Sequence, residues 1–111
     1  MDRKLYIKSG MVRRLTREYS AYENEVRTQK DKILKMQDSA PEEHVLRKQE
    51  EILQESINML PDTRRRLQVA YDGLKDFMKS VDTDESLTAS EHWSNALENL
   101  ARAETDILNS N

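Results

Sequence analysis

No cysteine occurs in the 111 residues, and glycine and proline are limited to two each. Without cysteine there is no disulfide, no thiol nucleophile and no thiolate-held metal, a usage that fits a reducing compartment. So few glycines and prolines leave little material for tight turns, which argues against sandwiches, barrels and most α/β folds. Aromatic residues make up only 5% of the chain. No uninterrupted apolar stretch approaches the roughly 18 residues of a membrane span, and no signal-peptide pattern opens the sequence. What is there is 36% hydrophobic and 35% charged, in a length typical of one small domain, and it suits long helices.

The net charge of −3 hides a gradient. Residues 1–38 carry ten Lys/Arg against six Asp/Glu, and residues 39–80 carry seven against eight. Residues 81–111 carry Arg102 alone against seven acidic residues. A basic first third suits an acidic partner, while an acidic chain as a whole argues against nucleic acid. Opposite charges on neighbouring helices of one fold would account for the same gradient.

Hydrophobic spacing predicts three helices, over about residues 2–37, 41–79 and 86–108. In the first, Leu5, Val12, Tyr19, Val26 and Ile33 recur every seven residues, with Leu15, Tyr22 and Met36 three positions later. Such alternation of three and four places the side chains on one stripe of a helix about 50 Å long. Lys8 and Gln29 fall in the stripe and make it imperfect. The second helix carries a ladder of Leu46, Leu53, Leu60, Leu67, Leu74 and Val81. Its flanking apolar positions (Val45, Ile52, Ile57 and Met59, then Ala70, Tyr71, Phe77 and Met78) widen the face enough for two neighbours. Pro61 lies inside this ladder and predicts a kink, because proline removes one helical donor and crowds the preceding turn. Ser39 with Glu42, and Thr88 with Glu91, have the spacing of capping boxes, and Pro41 suits a first turn. Trp93, Ala96, Leu97, Leu100, Ala103 and Ile107 line one face of the third helix. The expected fold is all-α: one elongated, antiparallel three-helix bundle over residues 1–111, with left-handed coiled-coil-like packing and the second helix kinked at Pro61.

Catalytic chemistry is hard to find. His44 and His92 lie far apart, neither has a metal-ligand neighbour at helical spacing, and both read as solvated surface groups. Gly10 and Gly73 are isolated within helical patterns, so no phosphate-binding loop exists. Glu50, Glu51 and Glu55 read as a solvated face rather than a paired acid and base. No catalytic, cofactor-binding or metal site is expected, and the chain does not read as an enzyme. Arg13, Arg14 and Arg17 fall off the apolar stripe, as do Arg64, Arg65 and Arg66. Neither cluster is interleaved with aromatics, which disfavours nucleic acid. Each reads as a solvated face with partners such as Arg14–Glu18, or as a protein-binding surface.

Two blocks carry a resemblance. Lys8-Ser9-Gly10-Met11-Val12-Arg13-Arg14-Leu15 resembles the K-[TS]-G-V-V-K-R-L segment of the tubulin-binding cofactor A family. Glu51-Ile52-Leu53-Gln54-Glu55-Ser56, followed by Met59-Leu60-Pro61-Asp62, Arg65-Arg66-Leu67 and Ala70-Tyr71, resembles that family's E-I-L-Q-E-S…M-[IL]-P-D…R-R-L…A-Y block. The motifs span about residues 5–80, and the second block is the more specific.

The resemblance implies a cytoplasmic three-helix bundle that captures β-tubulin after the cytosolic chaperonin releases it, and holds it on the route to the αβ heterodimer. It implies neither nucleotide nor metal, and a link to the microtubule cytoskeleton. The chain would act as a monomer or homodimer. From exposure and motif membership, Arg13, Arg14 and Arg17, with Glu55, Arg64 and Arg65 around the expected kink, are the candidate β-tubulin contacts. A structural coiled-coil module that assembles with itself is the competing expectation, resting on the long ladder.

Overall fold

The computed structural model describes residues 2–39 and 41–109. Their regular structure is entirely helical: α1 (Asp2–Asp38), α2 (Glu43–Ser80), α3 (Glu85–Thr88) and α4 (Glu91–Ala103). A π-helical stretch, Glu104–Leu108, carries on from α4. α1 and α2 lie within a few residues of the expected 2–37 and 41–79, but the cap expected for the second helix is displaced. Ser39 closes α1 instead of opening α2: its backbone N–H and its hydroxyl both donate to the Met36 carbonyl, at 3.1 and 2.9 Å. Glu42 supplies the first carbonyl of α2, accepting from Val45 and Leu46, so Pro41 stands outside the helix rather than in its first turn. α2 then runs through Pro61 without a break, so the helix continues past the proline.

The expected third helix is divided. Asp84 caps α3, its carboxylate accepting from Leu87 N at 3.1 Å. Thr88 turns its hydroxyl back to Glu85 O, and Ser90 caps α4 by accepting from Trp93 N at 3.2 Å. Two cap residues six positions apart start two helices, with buried Leu87 anchoring the short one.

The chain forms two compact units, Met1–Arg17 with Arg64–Asn111, and Glu18–Thr63. In the first, Leu5, Val12 and Leu15 of α1 are buried, as are Leu67, Tyr71, Leu74 and Met78 of α2, and Leu87, Ala96, Ala103 and Ile107 from the end of the chain. Fully burying one such leucine contributes about 1.5–3 kcal/mol. Polar groups follow the same geometry. Asn99 of α4 donates its amide to Ser9 Oγ at 2.8 Å, and Thr16 Oγ1 donates to Val12 O at 2.8 Å. Among the described residues no buried side-chain polar atom lacks a partner. Lys8, out of place in an apolar seam, lays its ammonium 5.9 Å from the centre of the Phe77 ring. Leu97 departs from its expected inward position and is 52% exposed, while Trp93 and Leu100 are half-buried.

In the second unit, α1 and α2 run antiparallel, with Gln29 near Gln49 and Glu25 near Ser56. The Gln29 amide donates to the Gln49 carbonyl at 3.0 Å and to its Oε1 at 2.8 Å, which accommodates a polar residue in the stripe. Tyr19, Tyr22, Val26, Leu46, Leu53 and Leu60 are only half-buried. Val45 and Ile52 are exposed while Ile57 and Met59 are half-buried, so the wide face expected of α2 is only partly covered here.

Candidate functional site

The apolar stripe that buries Leu5, Val12 and Leu15 leaves a second line on α1, at positions 6, 10, 13 and 17. These steps of three and four place Tyr6, Gly10, Arg13 and Arg17 along one edge of the helix. α4 presents a matching line of His92, Asn95, Glu98 or Asn99, and Arg102. The two lines bound an open groove of about 610 Å³ within the first unit, with Ile7 and Arg14 also on its wall. Along α1 the line from Tyr6 to Arg17 rises about 16 Å.

Contacts between α1 and α4 hold the two walls together. The Asn99–Ser9 hydrogen bond ties α4 to α1 beside the groove. At the Tyr6 end its ring meets that of His92 edge-on, with centroids 5.4 Å apart and planes at 67°. Tyr6 is 61% exposed and Ile7 51%, an unusual apolar surface beside so many cations.

Electrostatically the groove holds four arginines against one carboxylate, Glu98. Arg102 spends part of its charge on that carboxylate at 3.1 Å. Among the described residues, Arg13, Arg14 and Arg17 form no ion pair with a carboxylate. An exposed guanidinium without a carboxylate partner keeps all five donors available for a carboxylate brought from outside.

The remaining candidates do not line the groove. Arg64 is half-buried and points inward, donating from Nη1 to Ile107 O at 2.9 Å and from Nη2 to Leu108 O at 3.0 Å. A cation there satisfies carbonyls that a helix end leaves without partners and complements its negative dipole end. Arg65 is exposed in the first unit but does not line the groove, and Glu55 is exposed in the second unit. Sequence reasoning found the arginines because they fall off the stripe. It missed Tyr6, Ile7, Gly10 and the whole α4 wall, although the 6-10-13-17 spacing was there to be read.

Strongly shifted titration occurs elsewhere. Tyr71 donates its hydroxyl to Glu104 Oε2 at 2.7 Å. That bond, then burial and the charges of Glu104 and Asp72, push the Tyr71 pKa up to about 12. The Glu104 carboxyl is correspondingly held below its ordinary range, by Tyr71 first, then by the Asn109 amide and the Lys75 charge. This pair fastens the end of the third helical segment to α2, and nothing about it resembles a reactive centre. Among the described residues no group of three or more His, Asp or Glu side chains could hold a metal ion. Among the described residues no helix is long and apolar enough to cross a membrane either.

A family model described as tubulin binding cofactor A matches residues 1–100. The chain belongs to that family. The match reaches past the motif-bearing stretch into α4, so both walls of the groove fall within it except Arg102. The mouse tubulin-specific chaperone A is 46% identical over 78 residues, covering 70% of this chain and 72% of the mouse protein. The solved structure of human tubulin chaperone cofactor A superposes with a TM-score of 0.72 at 38% identity, covering 93% of this chain and 97% of the human one. Tubulin folding cofactor A from Arabidopsis thaliana superposes with a TM-score of 0.82 at 30% identity, covering 94% of this chain and 95% of the plant one. This member of the tubulin binding cofactor A family is therefore all-helical in the manner of its solved relatives.

Proposed function

We propose that this cofactor A family member binds tubulin, and specifically that it captures β-tubulin folding intermediates released by the cytosolic chaperonin. It holds them on the route to the αβ heterodimer, in the cytoplasm and in association with the microtubule cytoskeleton. The mechanism is stoichiometric: a ligand of one conformational state shifts that state's population by mass action, with no bond made or broken. Family membership supports the partner. The single observation that carries the contact surface is the set of exposed arginines, Arg13, Arg14 and Arg17, on one wall of a groove in the unit with the buried core. Tubulin is acidic, and such a cationic face accelerates encounter with an acidic partner. Glu55 and Arg65 act as further contacts. Arg64 contributes by holding the third helical segment in place. In the same reading the 111 residues act as one domain, a left-handed antiparallel three-helix bundle bent at Pro61.

Replacing Arg13→Glu together with Arg14→Glu tests this. Capture of β-tubulin, followed on native gels and by sedimentation, should weaken by about tenfold or more with helicity unchanged by circular dichroism. Unaltered capture removes the arginine face from the mechanism. The exposed Leu34, Val45 and Ile52 in the second unit favour a second reading, self-assembly as a coiled-coil module. Sedimentation over a concentration series decides between them: stable self-association without any tubulin complex supports the scaffold, and a one-to-one complex supports the chaperone.

A further inference from the structure

Gly10 is the least explained residue of the groove. It lies in the interior of α1, where glycine is less favourable than alanine. Its backbone is not in the left-handed region, and a Cβ added there would meet nothing within 4 Å. Neither conformation nor packing within this chain therefore requires glycine at this position. Yet it lines the groove, with Arg13, Arg14 and Arg17 following it and Tyr6 and Ile7 preceding it. A bare stretch of helix backbone beside cations suits the close approach of another chain.

We infer that the groove between α1 and α4 seats an acidic polypeptide segment whose backbone crosses α1 at Gly10, with its carboxylates on Arg13, Arg14 and Arg17 and an apolar side chain against Tyr6 and Ile7. Three features commit the groove to this occupant. First, the charge is complementary: four arginines face one carboxylate, and guanidinium groups pair with carboxylates in a two-pronged geometry. Second, Arg13 and Arg17 are separated by about 6 Å of helix rise, near the spacing of alternate side chains on a strand and of i, i+4 side chains on a helix. Third, the wall also offers exposed apolar surface at Tyr6 and Ile7 and an exposed amide at Asn95, which suit a peptide better than a bare polyanion. Nucleic acid would call for a series of free aromatic faces, and Tyr6 is the groove's one exposed aromatic outside histidine, already in edge contact with His92. The inference rests on the tubulin reading only in taking this face as the one a partner meets.

The test uses the full chain and a fluorescent glutamate-rich peptide with a single central leucine, titrated by anisotropy. Its glutamine counterpart and a single-stranded oligonucleotide of equal charge serve as rival ligands. The wild-type chain should bind the glutamate peptide saturably and leave the glutamine peptide unbound. Arg13→Glu with Arg14→Glu should weaken binding by about tenfold or more. Gly10→Ala should weaken it by about three- to tenfold while raising the melting temperature by about 2–6 °C, because alanine is the better helix former. A merely structural glycine would show the thermal gain without the binding loss. Gly10→Ala binding as tightly as wild type, equal binding of the glutamine peptide, or tighter binding of the oligonucleotide would each overturn the inference. Capture of β-tubulin, measured on the same proteins, separates the two readings. Peptide binding sensitive to Gly10 without tubulin capture sinks the tubulin reading and keeps the groove. Tubulin capture indifferent to Gly10→Ala, with no peptide binding, does the reverse.

Discussion

One ladder of residues in α2 passes through two different environments. Leu67 and Leu74, in the first compact unit, are completely buried, whereas Leu46, Leu53 and Leu60, in the second, are half-buried. Residue type, seven-residue spacing and helix are the same. What differs is the number of partners. In the first unit α2 meets α1 through Phe77 with Lys4 and Lys8, and meets the third helical segment through Tyr71 with Glu104 and Arg64 with Ile107. In the second unit α2 has α1 alone, and a polar Gln29–Gln49 contact occupies part of the seam. Periodicity marks which face of a helix is apolar, and burial is then decided by how many other helices arrive to cover it.

The largest expected effect follows from that contrast. Leu74→Ala should destabilise the protein by about 2–5 kcal/mol, the range for truncating a buried leucine and leaving a cavity. Leu53→Ala removes the same atoms from a half-solvated seam and should cost about 1 kcal/mol. Urea unfolding followed by circular dichroism reads both, and at this chain length each kcal/mol moves the melting temperature by roughly 4–8 °C. Equal losses at the two positions would break the contrast and show that the second unit is as tightly packed as the first.

The contrast also explains what the sequence could and could not reveal. Leu5, Val12, Leu67 and Leu74 were legible as core because each sits on a strict repeat. The half-burial of Leu46 and Leu53 was not, because they sit on the same repeat. Ser9 sits in the family-like segment with no role legible from its neighbours, yet its hydroxyl accepts the Asn99 amide from ninety residues away, a pairing no local pattern encodes. Arg64 looked like one of three surface cations, while its fork is spent on two carbonyls at the far end of the chain. Among the caps, the Thr88–Glu91 spacing predicted a capping box at Thr88. In the fold Thr88 bonds backward and Ser90 forward. For the groove, α1's wall was half-readable from the off-stripe arginines. α4's wall was not: Ala96 and Ala103 marked its inward face, but that the flank carrying Asn99 meets Ser9 of α1 is set by tertiary packing.

A smaller effect, confined to the first unit, is expected at Arg64. Arg64→Met keeps much of the stem and removes the two bonds to Ile107 and Leu108. The loss should be about 1–3 kcal/mol, since a charged donor is removed from carbonyls at a helix end. Hydrogen exchange gives the sharper reading. Amides of residues 104–108 should exchange faster, while those of 18–63 keep their rates, because opening is local when the lost contact is local. Arg64→Lys should recover only part, as an ammonium cannot reproduce the fork across two carbonyls. Accelerated exchange throughout 18–63 would mean that the two units open together.

The smallest effect is a pH signature at Tyr71. Its hydroxyl stabilises the Glu104 carboxylate, whose pKa is held below the ordinary 4.5, while Tyr71 itself is pushed from 10.0 to about 12. A lowered carboxyl pKa contributes stability that is present above pH 4.5 and lost as pH falls through the folded value. A raised tyrosine pKa contributes stability present below pH 10.0 and lost as pH rises through about 12. The gain of wild type over Tyr71→Phe should therefore form a plateau between about pH 5 and 10 and shrink on both sides. The acid limb should persist in part in the variant, because the Asn109 amide and the Lys75 charge still lower Glu104. Urea midpoints across pH read the difference, with Leu53→Ala as the control. That substitution removes only methyl and methine groups from the second unit, so its offset from wild type should not vary with pH. A Tyr71→Phe offset equally flat in pH would show that the phenol contributes packing alone and that the bond to Glu104 stabilises nothing.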